Sequence, residues 1–388
     1  MKIKHVRVID LDVPVVPPRT TQRRPSWNEK APRGSPMGMY PEWRDAVPGV
    51  IPGFGGRQVW VQVVADNGMW GLGRCSFGEP VEALISSHFA PLLEGRDALA
   101  TEYLNDLMWR STKRFGSLGL SAVAMSGIDI ALWDLKGKIM DQPVWRLIGG
   151  PSRDSISLYA TGDDLDWSQE LGFTAFKITN PAHFEMGIAG INLVEEKVTT
   201  AREAVGRDHE LMINPVMSYD VEFTIRLAER LRPYELRWLE EPLIPEDIEG
   251  HIQLKNAITW IPIATGEDHH TRIPFRQLIE HRAVDVVQPD LSWCGGLSEA
   301  IKIYTIAQAF GIKTVPHGGA NTPWGQHFAY AMPESSMAEY WLGTPPGIPL
   351  DEVCPIPGMV MPVNGKITPT DSPGFGMEIL ESQIIPRG

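Results

Sequence analysis

The stretch "HELMINPVMSYD" (209–220) decides the fold. Its run Leu211-Met212-Ile213 has the length and apolarity of a buried strand, and Asn214 stands at the strand's end. "LRWLEEP" (236–242) ends a second apolar run at Glu240, and "IPIATGEDHH" (261–270) ends a third at Glu267. The three ends are almost evenly spaced. Each interval holds one apolar run and one amphipathic stretch, which is the period of a repeating strand–helix unit.

Outward from this centre the rhythm continues. "ISLYAT" and "AFKIT" precede it; "DVVQPD", "KTVPH" and "AEYWL" follow. Helical patterns at 194–206, 221–232, 272–282, 296–310 and 323–332 lie between the runs. Eight such units predict a closed parallel barrel. Upstream, 1–15 and 57–75 read as antiparallel strands, the second folded at Asn67-Gly68, a strong hairpin turn. Residues 79–95 and 97–111 read as helices. The run 120–150 reads as one long helix, with Val123, Ile128, Ala131, Leu132 and Leu135 near the 3.6 period and a stop at Gly149-Gly150-Pro151. The predicted fold class is α/β. A barrel spans 121–350, and an α+β capping domain is built from 1–120 and a C-terminal return, 351–388.

Between the first two strands, residues 17–56 show little periodicity. A structureless loop of that length in a compact domain is more often a functional lid than a packing element. It carries Arg23, Arg24, Trp27, Lys30, Arg33, Met37, Tyr40, Trp43 and Arg44. Arginines mixed with aromatic residues suit a cover that closes over a polar anion, and Trp27, Arg33 and Arg44 are its expected substrate contacts.

The chain has 388 residues, 43% hydrophobic and 21% charged, ordinary for a globular protein. Its net charge of −13 argues against nucleic-acid partners, which require basic surface. No run approaches the length of a membrane helix, and the N-terminus alternates like a strand rather than a signal peptide. Three widely spaced cysteines, Cys75, Cys294 and Cys354, fit a reducing cytoplasm and no disulfide framework.

In a barrel of this kind the chemistry sits at the C-terminal strand ends. Those ends read Thr161, Lys177, Asn214, Glu240, Glu267, Asp290 and His317. Polar residues directly after buried strands cost free energy unless paired or used. A single Glu-Glu pair is readily explained by an ion pair with a neighbouring cation; three strand ends in register are not. Asn214, Glu240 and Glu267 form an all-oxygen set that suits a hard cation such as Mg2+. Asp290 and His317 pair as an orienting carboxylate and a base. His317 opens "HGGANTP", a glycine loop that leaves room for a substrate. Lys177 is placed to contact a substrate carboxylate or to neutralise an acid of the metal set. "GEDHH" adds Asp268, His269 and His270, among which alternation does not choose; Asp268 and His269 are expected at the substrate. "CGGL" (294–297) has no phosphate-loop context and reads as tight strand-to-helix packing.

A divalent ion facing a His base is equipment for removing a proton next to a carboxylate. The intermediate then loses a β-hydroxyl or is reprotonated on either face. Lys177-Ile178-Thr179 supplies no second lysine, so the opposite face lacks a base and elimination is favoured.

These residues resemble the enolase superfamily in its mandelate-racemase-like branch, over nearly the whole chain. "SPMGMYPEWRD", "LYATG", "EEPLIP", "QPDLSWCGGL", "VPHG" and "PVNGKI…PGFG" look most like the L-rhamnonate dehydratase group. The resemblance implies a modified (β/α)7β TIM-type barrel, Mg2+, and dehydration of a sugar acid to a 2-keto-3-deoxy acid. It further implies His317 as the base that returns its proton to the departing hydroxyl, Asp290 as its support, and Glu240 and Glu267 as metal ligands. Homo-oligomers, often octamers, are implied too. Three positions depart from the group. Asn214 replaces an Asp, Asp268 replaces a His, and the lid around Trp27 lacks a His. The alternatives that these departures leave are an epimerase or racemase of a sugar acid, and a homologue that binds one without turnover.

Overall fold

The computed structural model describes residues 1–29, 34–44 and 57–387. Strands β1 (Ile3–Leu11), β2 (Val59–Ala65) and β3 (Trp70–Cys75) form an antiparallel meander. Alternation buries Val59, Val61 and Val63 on one face. The β2–β3 turn forms where expected: Gly68 adopts φ 86°, and the Asn67 side chain accepts the Met69 N–H at 3.1 Å.

The second sheet holds eight parallel strands, β4 (Ile156–Thr161), β5 (Ala175–Thr179), β6 (Glu210–Asn214), β7 (Trp238–Glu240), β8 (Ile263–Thr265), β9 (Val286–Val287), β10 (Lys313–Thr314) and β11 (Met337–Trp341). Their order is β10-β9-β8-β7-β6-β5-β4-β11, the order of a barrel. Among the described residues no strand pairing joins β10 to β11. Side chains bridge that seam: Gly318 N–H donates to Glu339 Oε2 at 2.9 Å, and Asn321 bonds the Trp341 backbone through both ends of its amide. The C-terminal segment returns over both units. Its β12 (Lys366–Ile367) pairs with β4, and its β13 (Ile384–Pro386) joins the capping sheet against β1. No helix of the described residues is long and apolar enough to cross a membrane.

Two helix expectations need correction. The run 120–150 is not one helix. It is a helix over Leu120–Ile139, a turn with Asp141 at φ 51°, and a short helix over Val144–Leu147. Pro143 explains the break, because the residue before a proline is driven out of helical geometry. The Leu120–Ile139 helix also packs its apolar face mainly on the capping sheet, although it follows the boundary expected at 120, and it reaches the barrel through Ser298, which accepts from the Trp133 indole and donates its N–H to Asp129, each at 2.9 Å. Val123, Ala124, Ile128, Ala131 and Leu135 share one core with Val61, Val63 and Cys75. Glycines set this contact: a Cβ on Gly73 would collide with the carbonyl oxygen of Gly127, and one on Gly71 with that of Ala131. Gly73→Ala is expected to lower stability by about 2 kcal/mol or more through overpacking, read as a fall in the midpoint of equilibrium urea unfolding.

Candidate active site

The barrel interior is layered. Tyr159, Ala175, Met212, Trp238, Ala264, Val286 and Val315 form one apolar cluster, with Met337 packed against it. Two residues further along each strand the chain points inward again. There it reads Thr161, Lys177, Asn214, Glu240, Gly266, Gln288, His317 and Glu339. A polar layer thus lies on an apolar floor and opens into a cavity of about 720 Å³.

Lys177 is the hub of this layer. It is buried and forms ion pairs with Glu240 and, at 2.8 Å, with Glu339. Glu240 is fully engaged. Its Oε1 accepts from Lys177 and from Asn214 Nδ2 at 2.9 Å; its Oε2 accepts from Trp238 Nε1 at 2.9 Å and Gln288 Nε2 at 2.7 Å. Glu339 also accepts the Thr161 hydroxyl at 2.5 Å. Burial works against the Glu339 charge, but Lys177 and His317 outweigh it and draw its pKa down to about 2. Of the two roles expected for Lys177, the structure shows the neutralising one.

His317 lies across the mouth. Its Nδ1 meets Asp290 Oδ2 at 2.8 Å, and Asp290 Oδ1 is held by the Ser292 N–H at 2.6 Å. This arrangement fixes the tautomer with the proton on Nδ1 and turns Nε2 into the cavity. Nε2 stands 3.1 Å from Glu267 Oε1, and the Trp293 ring packs against the imidazole at 5.4 Å. Burial disfavours the imidazolium, but Glu267, Glu339 and Asp290 together raise its pKa well above the ordinary value.

Acids outnumber cations here. Burial pushes Glu267 up to about 8, against the pull of His317, and pushes Glu241 well above the carboxylate range. More acids are enclosed than Lys177 and His317 can keep ionised, so a bound cation would release the protons that Glu267 and Glu241 hold. Pairing of Ile213 with Leu239 and of Glu240 with Ala264 brings Asn214, Glu240 and Glu267 to the ends of three adjacent strands. An all-oxygen donor set beside excess buried acid fits a hard divalent cation. Among the described residues no group of three or more His, Cys, Asp and Glu side chains gathers as a metal centre, and one donor of the set is an amide. Asn214 turns its NH2 to Glu240, and its oxygen accepts the Val216 N–H at 2.7 Å.

The described lid residues around Trp27 and Gly34 lie on the barrel mouth. Trp27 lines the cavity; its backbone N–H donates to Asp164 at 2.9 Å and its indole to the Leu342 carbonyl at 2.7 Å. Arg23 pairs with Glu170, and Arg24 with Asp164 and Asp166, so both clamp the lid through the protein's own carboxylates and do not line the cavity. Gly34 N–H donates to the Asn180 carbonyl at 3.0 Å, with no room for a side chain: a Cβ there would stand 2.7 Å from the Pro215 carbonyl.

Three expected substrate contacts are not brought into the cavity. The Arg44 guanidinium folds back on its own loop and donates to the Gly38 carbonyl at 2.8 Å. His269 is buried behind the wall against Phe275, and burial drives its pKa down to about 3. Asp268 lies outside the lining and offers its N–H to Glu241 at 3.4 Å. Arg33 and Lys30 lie outside the described residues. Glu339, Gln288 and Arg74 belong to the site and were not anticipated. The signal for Glu339 and Arg74 was one charge inside an otherwise apolar run, "AEYWL" and "GLGRC".

Comparison with known proteins accords with this geometry. Residues 164–383 match the enolase C-terminal domain-like family, and 55–149 match the N-terminal domain of the mandelate racemase / muconate lactonizing enzyme family. An L-rhamnonate dehydratase of Saccharopolyspora erythraea is 37% identical over 89% of this chain and 88% of its own. The crystal structure of L-rhamnonate dehydratase from Gibberella zeae superposes with TM-score 0.89 at 30% identity, covering 99% of this chain and 96% of that one. The magnesium complex of the rhamnonate dehydratase from Gibberella zeae gives 0.88 at 30% identity and the same coverage.

Gly34→Ala should lift the lid from Asn180 and Pro215. The expected result is several-fold faster limited proteolysis within 17–44 and little change in the global melting temperature.

Proposed function

The chain belongs to the mandelate racemase / muconate lactonizing enzyme family of the enolase superfamily, and from that premise we propose that it is an acid-sugar dehydratase. It removes the proton α to a carboxylate and eliminates the 3-hydroxyl, giving a 2-keto-3-deoxy acid. The observation that carries this reading is the His317–Asp290 pair, with Nε2 presented to an enclosed cavity.

His317 Nε2 takes the α-proton, while Asp290 keeps the other nitrogen protonated and stabilises the imidazolium that forms. The same imidazolium then delivers the proton to the departing hydroxyl. No second base faces the substrate from β5. Lys177 is spent on Glu240 and Glu339, and the Thr179 hydroxyl donates to Asp163 at 2.6 Å. Elimination is therefore favoured over epimerisation. Asn214, Glu240 and Glu267 are the residues that would hold Mg2+, which supplies positive charge to the enediolate. The magnesium complex of the Gibberella zeae relative supports this assignment. Trp27 covers the cavity and excludes water.

Buried thiols at Cys75 and Cys294 support residence in a reducing cytoplasm. Exposed Phe115, Leu118 and Leu120 on the capping domain support self-association into a homo-oligomer, an octamer by resemblance; a monomeric mass in light scattering would count against it.

Incubation with Mg2+ and a panel of aldonic acids, read with semicarbazide for 2-keto acids, should give product. His317→Asn should lower the rate at least about a hundredfold. Solvent deuterium entering the substrate without keto acid would instead indicate an epimerase. Ligand-induced thermal stabilisation with neither activity would indicate a binding protein. Asn214→Asp removes the NH2 that faces Glu240 and adds a charge, so Mg2+ affinity by calorimetry should rise about tenfold or more. An unchanged affinity removes Asn214 from the ligand set.

A further inference from the structure

Arg74 is the cation of the cavity that the proposed reaction does not use. It projects from β3 of the capping sheet and lines the cavity opposite the barrel's own polar layer. Its guanidinium lies between two indoles, 5.6 Å from the centroid of Trp60 and 5.6 Å from that of Trp324. These rings hold the group in place but accept none of its hydrogen bonds along the fork. Among the described residues Arg74 forms no ion pair and no hydrogen bond, and its Nε is buried without a partner. Burial pulls its pKa down to about 10, only partly offset by the charge of Asp290. A guanidinium remains charged at neutral pH even so, and enclosing one unpaired costs several kcal/mol.

Every other strong cation named at the site is compensated. Lys177 has Glu240 and Glu339; Arg23 and Arg24 have carboxylates outside the cavity. Arg74 keeps a rigid, planar, five-donor fork with no acceptor among the described residues, inside a space large enough for a sugar acid. Such a fork matches a carboxylate with two parallel hydrogen bonds. Arg74 projects from the capping sheet, not from the strand ends that carry Asn214, Glu240 and Glu267, and it feels the charge of Asp290, which follows β9. The carboxylate next to the reacting carbon belongs with the proposed metal set, which leaves Arg74 for another group.

We propose that Arg74 is a specificity-determining residue that grips a second carboxylate of the substrate, so that the preferred acid sugar is a dianion of the aldaric class rather than a monoacid with a methyl or hydroxymethyl end. This inference rests on the reading of the cavity as an acid-sugar site and deepens it. Neutral polar groups such as Gln58, Ser76 and Ser292 line the same cavity and suit the intervening hydroxyls.

The test is calorimetric binding of galactarate and L-rhamnonate to Mg2+-loaded His317→Asn protein, with and without Arg74→Met. With Arg74 present, galactarate should bind about tenfold or more tightly than L-rhamnonate, the scale of one charge-assisted bidentate pair. With Arg74→Met that ratio should fall to near one. Arg74→Lys keeps charge without the fork and should retain only part of the ratio; it serves alone if the methionine variant does not fold. Equal binding of the two acids in the presence of Arg74 overturns the proposal, as does a preference that survives Arg74→Met. Assays on protein with native His317 separate the two readings. No keto acid from either compound, with the Arg74-dependent preference intact, defeats the dehydratase and leaves the specificity assignment standing.

Discussion

The ion pairs of Lys177 with Glu240 and Glu339 are the constraint on which the site depends. They join β5, β7 and β11 across the barrel interior, directly above an apolar floor. Two carboxylates at that depth are tolerated only because one ammonium serves both and further donors fill the remaining lone pairs. Trp238, Gln288 and Asn214 complete Glu240, and Thr161 and Gly318 complete Glu339. Removing one partner from such an arrangement typically costs about 3–5 kcal/mol, because the others are left as bare buried charges. The layer is therefore rigid, and rigidity is what positions a base to within a few tenths of an ångström.

From that layer the functional geometry follows. Glu339 reaches the backbone of Gly318 and so ties the glycine loop after His317 to the last barrel strand, across the seam where no strand pairing occurs. His317 is held from one side by Asp290 and faces acid on the other. The cavity encloses more acids than the chain keeps ionised, which is the electrostatic reason a hard cation belongs there. Asn214 moderates this demand: its amide carries no charge and already donates to Glu240. The capping domain contributes the opposite sign, with Arg74 suspended between Trp60 and Trp324 above the barrel mouth.

Much of this was legible along the chain because barrels repeat. Each apolar run in the sequence became a strand, and each polar residue closing a run came to the same end of the barrel. His317 and Asp290 meet as their strand-end positions implied. Glu339 escaped notice because it lies within a strand, where a charge reads as an irregularity; only the inward alternation shared with Tyr159 and Thr161 explains it. Among the lid arginines, Arg44 was expected at the substrate but folds back on its own loop. Arg23 and Arg24 lie in a loop beside a cavity, yet nearby carboxylates on the segment 164–170 capture them. His269 and Asp268 follow Glu267 in sequence, but neither lines the cavity: His269 is buried against Phe275, and Asp268 acts on His317 only through its charge.

The sequence by itself determined the strand–helix alternation, the parallel barrel, the capping hairpin at Asn67-Gly68, and the polar character of the strand ends, because these rest on local periodicity and turn chemistry. Only the tertiary structure decided which of those polar groups face one another. Lys177 neutralises Glu240 and Glu339 because barrel curvature places β5, β7 and β11 around one axis. Arg74 has no partner among the described residues because the capping sheet holds it over a cavity where none of their carboxylates comes within bonding distance. Neither fact has a local signature, since the groups concerned are tens to hundreds of residues apart and are joined by packing alone.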